Sequence, residues 1–260
     1  MKHLLDSFAP ITLDEMSGIR LMNRTDTKFV TTRDKLATLL ARAADDYRVQ
    51  VVDGERVSPY YTVYFDTPDQ AMYRIHEAGH ARRQKLRIRS YVNSGLNFLE
   101  VKTKDNHGRT SKTRTTIDGF DPLHPDHAIR FGASADADAH ALFLARHLSY
   151  APQALSEQLE NHFKRITLVN NDKTERLTID IDLCFDSLLT GKRASLGQIA
   201  IIELKRDSLQ PSPVLGLLRD LRIKPVGFSK YVIGAALTDE RLSRNRLKPR
   251  LRLIHHLNSL

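Results

Sequence analysis

The sequence predicts an α+β fold built on an antiparallel β-sheet, and three observations carry that reading. Strand-like segments repeat with charge on every second residue: Lys85-Leu86-Arg87-Ile88-Arg89, Glu100-Val101-Lys102-Thr103-Lys104, Lys112-Thr113-Arg114, Arg176-Leu177-Thr178-Ile179-Asp180-Ile181-Asp182 and Ile202-Glu203-Leu204-Lys205. Several are joined by turn sequences too short for the crossover that parallel strands need, such as Asn93-Ser94-Gly95 and Asp105-Asn106-His107-Gly108. Between other strands lie stretches with apolar residues at helical spacing.

Side chains alternate across a strand, so each charged segment has one cationic face and one apolar face. A half-buried sheet alternates in the same way, with its polar residues in water. Here the polar positions are filled mostly by Arg and Lys, with a few carboxylates, instead of Ser, Thr and Gln. Two architectures accommodate that. The charged faces point to solvent, or the sheet closes into an antiparallel barrel with the charges inside and helices such as 33–47 and 211–222 over its apolar exterior. Cations crowded in a narrow lumen repel one another and lose hydration, so the second architecture requires a polyanionic ligand.

In chain order, 24–30 reads as a first strand with Arg24, Asp26 and Lys28 on one face. Thr32 caps a helix to about Tyr47, with Leu36, Leu39, Leu40 and Ala43 at helical spacing. Tyr60–Phe65 is a strand ending at the turn Asp66-Thr67-Pro68. A short helix broken at Gly79 precedes the strand that ends near Tyr91, and the two turns above lead into strands through Lys104 and over Thr110–Ile117. Helices are predicted over Ala139–Leu148 and Gln153–Glu160, then strands over His162–Val169, Arg176–Phe185 and Gln198–Lys205. Pro211–Arg222 and Ser229–Arg241 are predicted helices, the second capped by Ser229.

The length of 260 residues suffices for one large domain or two small ones, and 41% hydrophobic against 27% charged residues excludes a disordered chain. The formal charge of +9 suggests an anionic partner. Six of those charges, Arg241, Arg244, Arg246, Lys248, Arg250 and Arg252, lie in 241–260, which has no acidic residue, leaving +3 for the rest. The strand charges therefore act by converging on one site and not through a global field. The basic stretch reads as a frayed, solvated terminus, or as a segment that lies on an acidic membrane surface, a membrane-protein partner, nucleic acid or another polyanion. No apolar run approaches the roughly 18 residues that span a bilayer, and the N-terminus lacks a signal-peptide core, so the expected compartment is cytoplasmic, with membrane association left to the basic stretch. The single cysteine, Cys184, excludes an internal disulfide and reads as a core residue.

Other constellations carry less. His76-Glu77-Ala78-Gly79-His80 matches the spacing of a zinc-protease helix, but Gly79 breaks that helix and a strand follows, so a solvated turn is expected. Asp180 and Asp182 share a strand face with Arg176, consistent with ion pairs or with a metal. There is no Walker loop, dinucleotide glycine fingerprint or nucleophile elbow, and nucleic acid fits poorly because Trp is absent and no stacking platform is evident.

Six ordered motifs carry a family resemblance: Asn23-Arg24-Thr25-Asp26-Thr27-Lys28-Phe29-Val30, Tyr64-Phe65-Asp66-Thr67-Pro68, Lys85-Leu86-Arg87-Ile88-Arg89-Ser90-Tyr91, Phe98-Leu99-Glu100-Val101-Lys102, Ile202-Glu203-Leu204-Lys205 and Phe228-Ser229-Lys230-Tyr231. Together, over about 10–240, they resemble the VTC (vacuolar transporter chaperone) domain, the polyphosphate polymerase branch of the triphosphate tunnel metalloenzyme (CYTH-like) superfamily. The resemblance implies a closed antiparallel β-barrel with a charged lumen and helices packed outside. It makes 1–240 one tunnel domain and 241–260 a basic C-terminal tail.

It further implies that the lumen binds a nucleoside triphosphate or polyphosphate with a divalent metal ion. Lys28, Lys85, Arg87, Arg89, Lys102, Lys112, Arg114, Arg165, Lys205 and Lys230 are the implied phosphate ligands. Of these, Lys28, Arg87, Arg89 and Lys102 are the catalytic set with Glu203, and Glu203 is the implied metal ligand with Glu100. Phe163-Lys164-Arg165 resembles a family Tyr-x-Arg signature with Phe in place of Tyr. The residue types suit the chemistry, since Arg offers a planar fork to phosphate oxygens, Lys a compact charge, and a lumen carboxylate suits manganese or magnesium.

Hydrolytic members of the superfamily carry Glu-x-Glu-x-Lys on an early strand, where this chain has Arg24-Thr25-Asp26-Thr27-Lys28. Arg in the first carboxylate position favours the polymerase branch. Three function classes follow: a polymerase moving the γ-phosphoryl group of ATP to a growing chain, a tunnel triphosphatase, and a non-catalytic polyphosphate or nucleotide sensor.

Overall fold

The computed structural model describes residues 2–17, 24–122, 137–207 and 210–259. Asn23, which opens the first motif, and Leu260 lie outside them. The elements in chain order are α1 (Lys2–Asp6), β1 (Ala9–Ile11), α2 (Leu13–Ser17), β2 (Arg24–Thr32), α3 (Arg33–Ala43), β3 (Tyr47–Gln50), β4 (Ser58–Asp66), α4 (Ala71–Glu77), β5 (Arg83–Tyr91), β6 (Leu96–Lys104), β7 (Thr110–Thr116), α5 (Ala137–His147), β8 (Ser156–Asn170), β9 (Glu175–Ser187), β10 (Arg193–Ser195), β11 (Ile199–Asp207), α6 (Pro213–Asp220), α7 (Lys230–Thr238) and α8 (Lys248–Asn258). The mixed α+β class is as the alternation predicts.

Eight strands form one antiparallel path in the order β2-β11-β9-β8-β4-β5-β6-β7, with β1, β3 and β10 paired alongside. Because residues opposite each other in a ladder share a face, the register fixes what each face carries. On the inner face Lys28 lies beside Glu203 and Glu203 beside Thr178, while Arg165 lies beside Asp180. Farther along the sheet, Thr62 lies beside Arg89 and Tyr64 beside Arg87. The rows Lys85-Lys102-Lys112 and Arg87-Glu100-Arg114 follow. The opposite face is apolar. Leu177, Ile179, Ile202 and Leu204 pack in one core with Leu36, Leu39 and Leu40 of α3 and Val214 and Leu218 of α6, and Leu86, Ile88, Leu99 and Val101 pack in another with Leu144 of α5.

The sheet is strongly curled. In a flat sheet, five strand spacings of about 4.8 Å would put β2 and β5 roughly 24 Å apart. Yet Lys28 Nζ donates to the Phe228 carbonyl at 2.9 Å and Lys85 Nζ to Ser229 Oγ at 2.7 Å, so both lysine heads meet at adjacent residues. The curl does not close as the expected barrel does: among the described residues no pairing joins β7 to β2. A connecting segment takes that edge instead. Phe29 bridges to Pro225, and the Val226 amide donates to the Lys28 carbonyl at 2.8 Å. Pro225 has no N–H to continue a ladder, so the segment covers the edge without extending the sheet.

Local chemistry explains the starts of α3 and α7. Thr32 caps α3, its Oγ1 accepting from Lys35 N at 3.4 Å, and Ser229 caps α7 in the same manner from Val232 N. The predicted helix at 153–160 is absent: only Pro152–Ala154 forms a 3₁₀ turn, and from Ser156 the chain is β8, paired on both sides by β4 and β9. Burial between two strands outweighs the helix preference of Gln and Leu there. Asp182 leaves the face it was expected to share with Asp180. It sits at φ 55°, where the β8–β9 register shifts, and this bulge turns it outward to Arg33 and to Lys164, 3.2 Å away. Cys184 is half-buried, not a core residue.

Where a frayed stretch is expected, the described residues form the packed helix α8. Leu247 and Ile254 of the α8 region are 3% and 5% exposed and join the core of α7. No helix among the described residues is long and apolar enough to cross a membrane.

Candidate functional site

Every cation and carboxylate singled out for the lumen lies on the charged inner face, or on α7 packed against it. α7 fills one end of the curl, Tyr231, Val232 and Ala235 packing with Val30, Ile201, Leu159 and Phe163. Gly234 is required there, because a Cβ would collide with the Phe185 ring and Leu159. This contact brings Lys230, the first residue of the helix, over the Phe163 ring, 4.2 Å from its centroid.

The charged groups fall into two kinds. Some are paired. Arg165 makes a two-pronged contact with Asp180, from Nε at 2.6 Å and Nη2 at 2.8 Å, and Lys230 bonds the same carboxylate. Arg87 grips one oxygen of Glu100 while Lys112 Nζ donates to the other at 3.0 Å. Arg114 stands over Phe98, 4.3 Å from the ring centroid, on the exposed β7. Others are unpaired. Among the described residues Lys28, Lys85, Arg89 and Lys102 form no salt bridge, and Lys28 and Lys85 bond only the neutral groups of Phe228 and Ser229.

The titration behaviour follows from this crowding. Burial pushes Lys85 well below the ordinary lysine range, and Lys28, Lys102, Arg83 and Arg87 add to it. Burial also lowers Lys102 to about 8, with Lys28 and Arg87 contributing, although the residue stays exposed on the open side. Burial brings Lys230 down to about 7, against the pull of Asp180. Arg89 is lowered by burial and by Arg87. For Glu203 burial works upward, but the charges of Lys28, Lys205, Arg165 and Lys102 prevail and hold it at about 2. Glu100 is held at about 2 in the same way, by Arg87, Arg89 and Lys112 against burial.

Glu203 differs from the other lumen carboxylates. Among the described residues no hydrogen bond engages it, and the nearest cation, Lys205 Nζ, stands 3.8 Å away. Glu100 has both oxygens occupied, and Asp180 likewise. Glu203 is thus an ionised carboxylate, one-fifth exposed, with lone pairs to spare. A magnesium-type ion commonly takes one or two carboxylates plus substrate phosphates, and this donor set fits that pattern. Buried polar atoms on the same face also lack partners, among them Thr62 Oγ1, Arg89 Nε and Thr178 Oγ1. Orphaned atoms of this kind mark a place for a polar ligand.

Sequence reasoning missed several contributors. Tyr60 stacks on Phe163, with centroids 5.1 Å apart, and Arg165 lies 4.9 Å from the Tyr60 centroid, which makes an aromatic floor under the cations. Arg83 extends the alternation of β5 by one step, a signal available in Arg83-Gln84-Lys85. His76 is not in a solvated turn. It lies on α4 with Nδ1 buried and unpartnered, and its neighbour Glu77 accepts from the Arg246 amide at 2.9 Å. A second cluster, Glu160, His162 and Asp186, lies elsewhere, with His162 Nε2 at 3.8 and 3.9 Å from the two carboxylates.

The family model of the VTC domain matches residues 23–238. No curated protein matches the chain. Among solved structures, HpAC1 of Hippeastrum, described as an adenylyl cyclase candidate with a dominant triphosphatase activity, aligns at 15% identity over 84% of this chain and 97% of its own, with TM-score 0.48. A candidate adenylate cyclase of Vibrio parahaemolyticus aligns at 11% identity over 82% and 99%, with TM-score 0.45. The PH1819 protein of Pyrococcus horikoshii aligns at 14% identity over 82% and 98%, with TM-score 0.44.

Proposed function

The chain belongs to the VTC domain family, and from that premise we propose that it is a metal-dependent polyphosphate polymerase that takes the γ-phosphoryl group of a nucleoside triphosphate, ATP by preference. The observation that carries this reading is the set Lys28, Lys85, Arg89 and Lys102, four cations on one curled face without carboxylate partners. Charges left unpaired at that density favour a ligand with several negative charges in a row.

In the proposed step a terminal oxygen of the chain attacks the γ-phosphorus, the bond from that phosphorus to the β,γ-bridging oxygen breaks, and the nucleoside diphosphate leaves with the electron pair. The attacking oxygen is already anionic, so no strong base is needed, and in-line positioning with charge stabilisation supplies the catalysis. Arg89 and Lys102 line the chain, Arg87 is oriented by Glu100, and Lys230 with Arg165 binds phosphate at the α7 end of the lumen. Arg114, Lys112 and Lys205 are the outer ligands of the same set. Glu203 would hold a magnesium or manganese ion, which when bound neutralises phosphate oxygens. Glu100 joins it only if Lys112 is released.

The test is incubation with ATP and manganese or magnesium, with product length read on a gel, for the parent, Glu203→Ala and Arg87→Ala. Chains that lengthen with the parent and not with the variants support the assignment. Loss of ATP without any chain longer than the primer refutes the polymerase reading, and variants that match the parent refute the site.

A further inference from the structure

A second group of cations lies where β5, α4, α8 and the segment before α7 meet. Lys85 and Lys28 reach it from the sheet, bonded to Ser229 and Phe228. Arg83 precedes Lys85 on the same strand face, with Nη1 on the carbonyl of His80 at 2.6 Å. From the opposite side Arg250 of α8 lays its guanidinium against the backbone of Gly227, Nη2 standing 3.4 Å from where a Cβ would be. The burial of His76, reinforced by the charges of Lys85, Arg83, Arg250 and Lys28, holds its imidazole neutral, down to about 2.

Among the described residues no carboxylate forms a salt bridge with Lys28, Lys85, Arg83 or Arg250, and Glu203 beside Lys28 is the nearest on the register. Among the described residues Arg250 has neither a hydrogen bond nor a salt bridge, although it is half-buried, and Glu77 on α4 is taken by the Arg246 amide. His76 adds a buried Nδ1 without a partner. Deeper on the inner face Arg165, Lys230 and Arg87 are neutralised by Asp180 and Glu100, and among the described residues only Arg89 and Lys102 stay unpaired beside them. α8 also lies beyond residue 238, where the family match ends.

We propose that Arg250, with Arg83 and His76, forms a mouth subsite that continues the line of Lys28 and Lys85 and takes phosphate groups of a chain too long for the inner lumen. The inference rests on the lumen binding phosphate. It gives α8 a ligand-binding role: the helix docks through Ile254, with Leu247 just before it, and thereby aims one arginine at the chain. A guanidinium suits this position because its fork spans oxygens of one or two phosphates while the surroundings hold it in place.

The experiment compares tripolyphosphate with a long-chain polyphosphate as probes, binding each by titration calorimetry to the full chain. Three proteins are compared: the parent, Arg250→Gln, which keeps most of the side-chain stem, and Arg252→Ala, which removes an equal charge from the exposed side of the same helix. Arg250→Gln should weaken the long chain about tenfold, the loss of one charge-assisted contact, and leave tripolyphosphate within about twofold. Arg252→Ala should leave both unchanged. Equal weakening of both probes, or no difference between the two variants, overturns the subsite while the lumen reading stands. If the parent binds neither probe, the lumen reading fails and the subsite with it.

Discussion

Arg87 donates twice to a single oxygen of Glu100, from Nε at 2.8 Å and from Nη2 at 2.6 Å, and the carboxylate side chain is wholly buried. Removing one member of a buried pair leaves the other charged and unsolvated, which costs about 3–5 kcal/mol. Glu100→Ala is therefore expected to destabilise the fold by that amount in urea unfolding. Arg87→Ala should cost less than Glu100→Ala, because Lys112 still serves the carboxylate, 3.0 Å away. Similar losses for the two would mean that Lys112 contributes nothing to holding Glu100.

The lowered lysines predict opposite pH trends for stability and for binding. Lys102 and Lys230 titrate near 8 and 7 in the folded chain and at about 10.4 when unfolded. Between those values the unfolded state holds more protons, so stability of the free protein rises with pH from about 7 toward 10. Binding of a phosphate chain needs the charged ammonium groups, so affinity falls across the same window. A bound polyanion raises both pKa values, so the protein takes up protons on binding near pH 8. Calorimetry in buffers of different ionisation enthalpy measures that uptake, and proton release would contradict the assignment.

Asp66 ties the family motif Asp66-Thr67-Pro68 to the lumen. Its oxygens accept from the amides of Thr67, Met72 and Tyr73 at 2.8, 2.8 and 2.9 Å, and from the Tyr231 hydroxyl at 2.5 Å. Asn in its place would turn an NH₂ toward groups that are themselves donors, at a cost of about 3 kcal/mol. Tyr231 follows Lys230 on α7, so Asp66→Asn should also weaken tripolyphosphate binding, although Asp66 is not among the implied phosphate ligands. Thermal unfolding and calorimetry on one preparation separate the two effects.

The charged face was legible because strand alternation is local: Lys85, Arg87 and Arg89 share a side whatever the rest of the chain does. The residues that neutralise it were only half legible. Asp180 and Asp182 sit two apart and read as a pair, and only the bulge between β8 and β9, a tertiary feature with no local signal, sends Asp182 outward. Closure is legible only in part for a related reason, since nothing in Pro225-Val226 announces that it takes the edge of β2. The C-terminal stretch read as a tail because its charge masks the spacing of Leu247, Leu251 and Ile254. Leu251 and Ile254 of α8, with Leu247 just before it, pack in the core of α7, and most helical stability comes from such packing. His76 belongs by spacing to a protease motif that it does not form, and its place among cations comes from topology alone.

Glu203→Gln separates the two roles of a lumen carboxylate. The glutamate is ionised among Lys28, Lys205, Arg165 and Lys102 and accepts no hydrogen bond among the described residues. As a neutralising group it opposes polyanion binding, and as a metal ligand it favours binding only when the ion is present. Glutamine keeps the shape and removes the charge. Without divalent metal, affinity for tripolyphosphate should rise severalfold, because each unit of charge near a multiply charged ligand weighs about 1 kcal/mol or more at partly screened distances. With manganese the parent should gain affinity and the variant should not, and chain extension by the variant should drop by 10²-fold or more. A variant that binds more weakly without metal would show that Glu203 orders the lysines around it and does not wait for an ion.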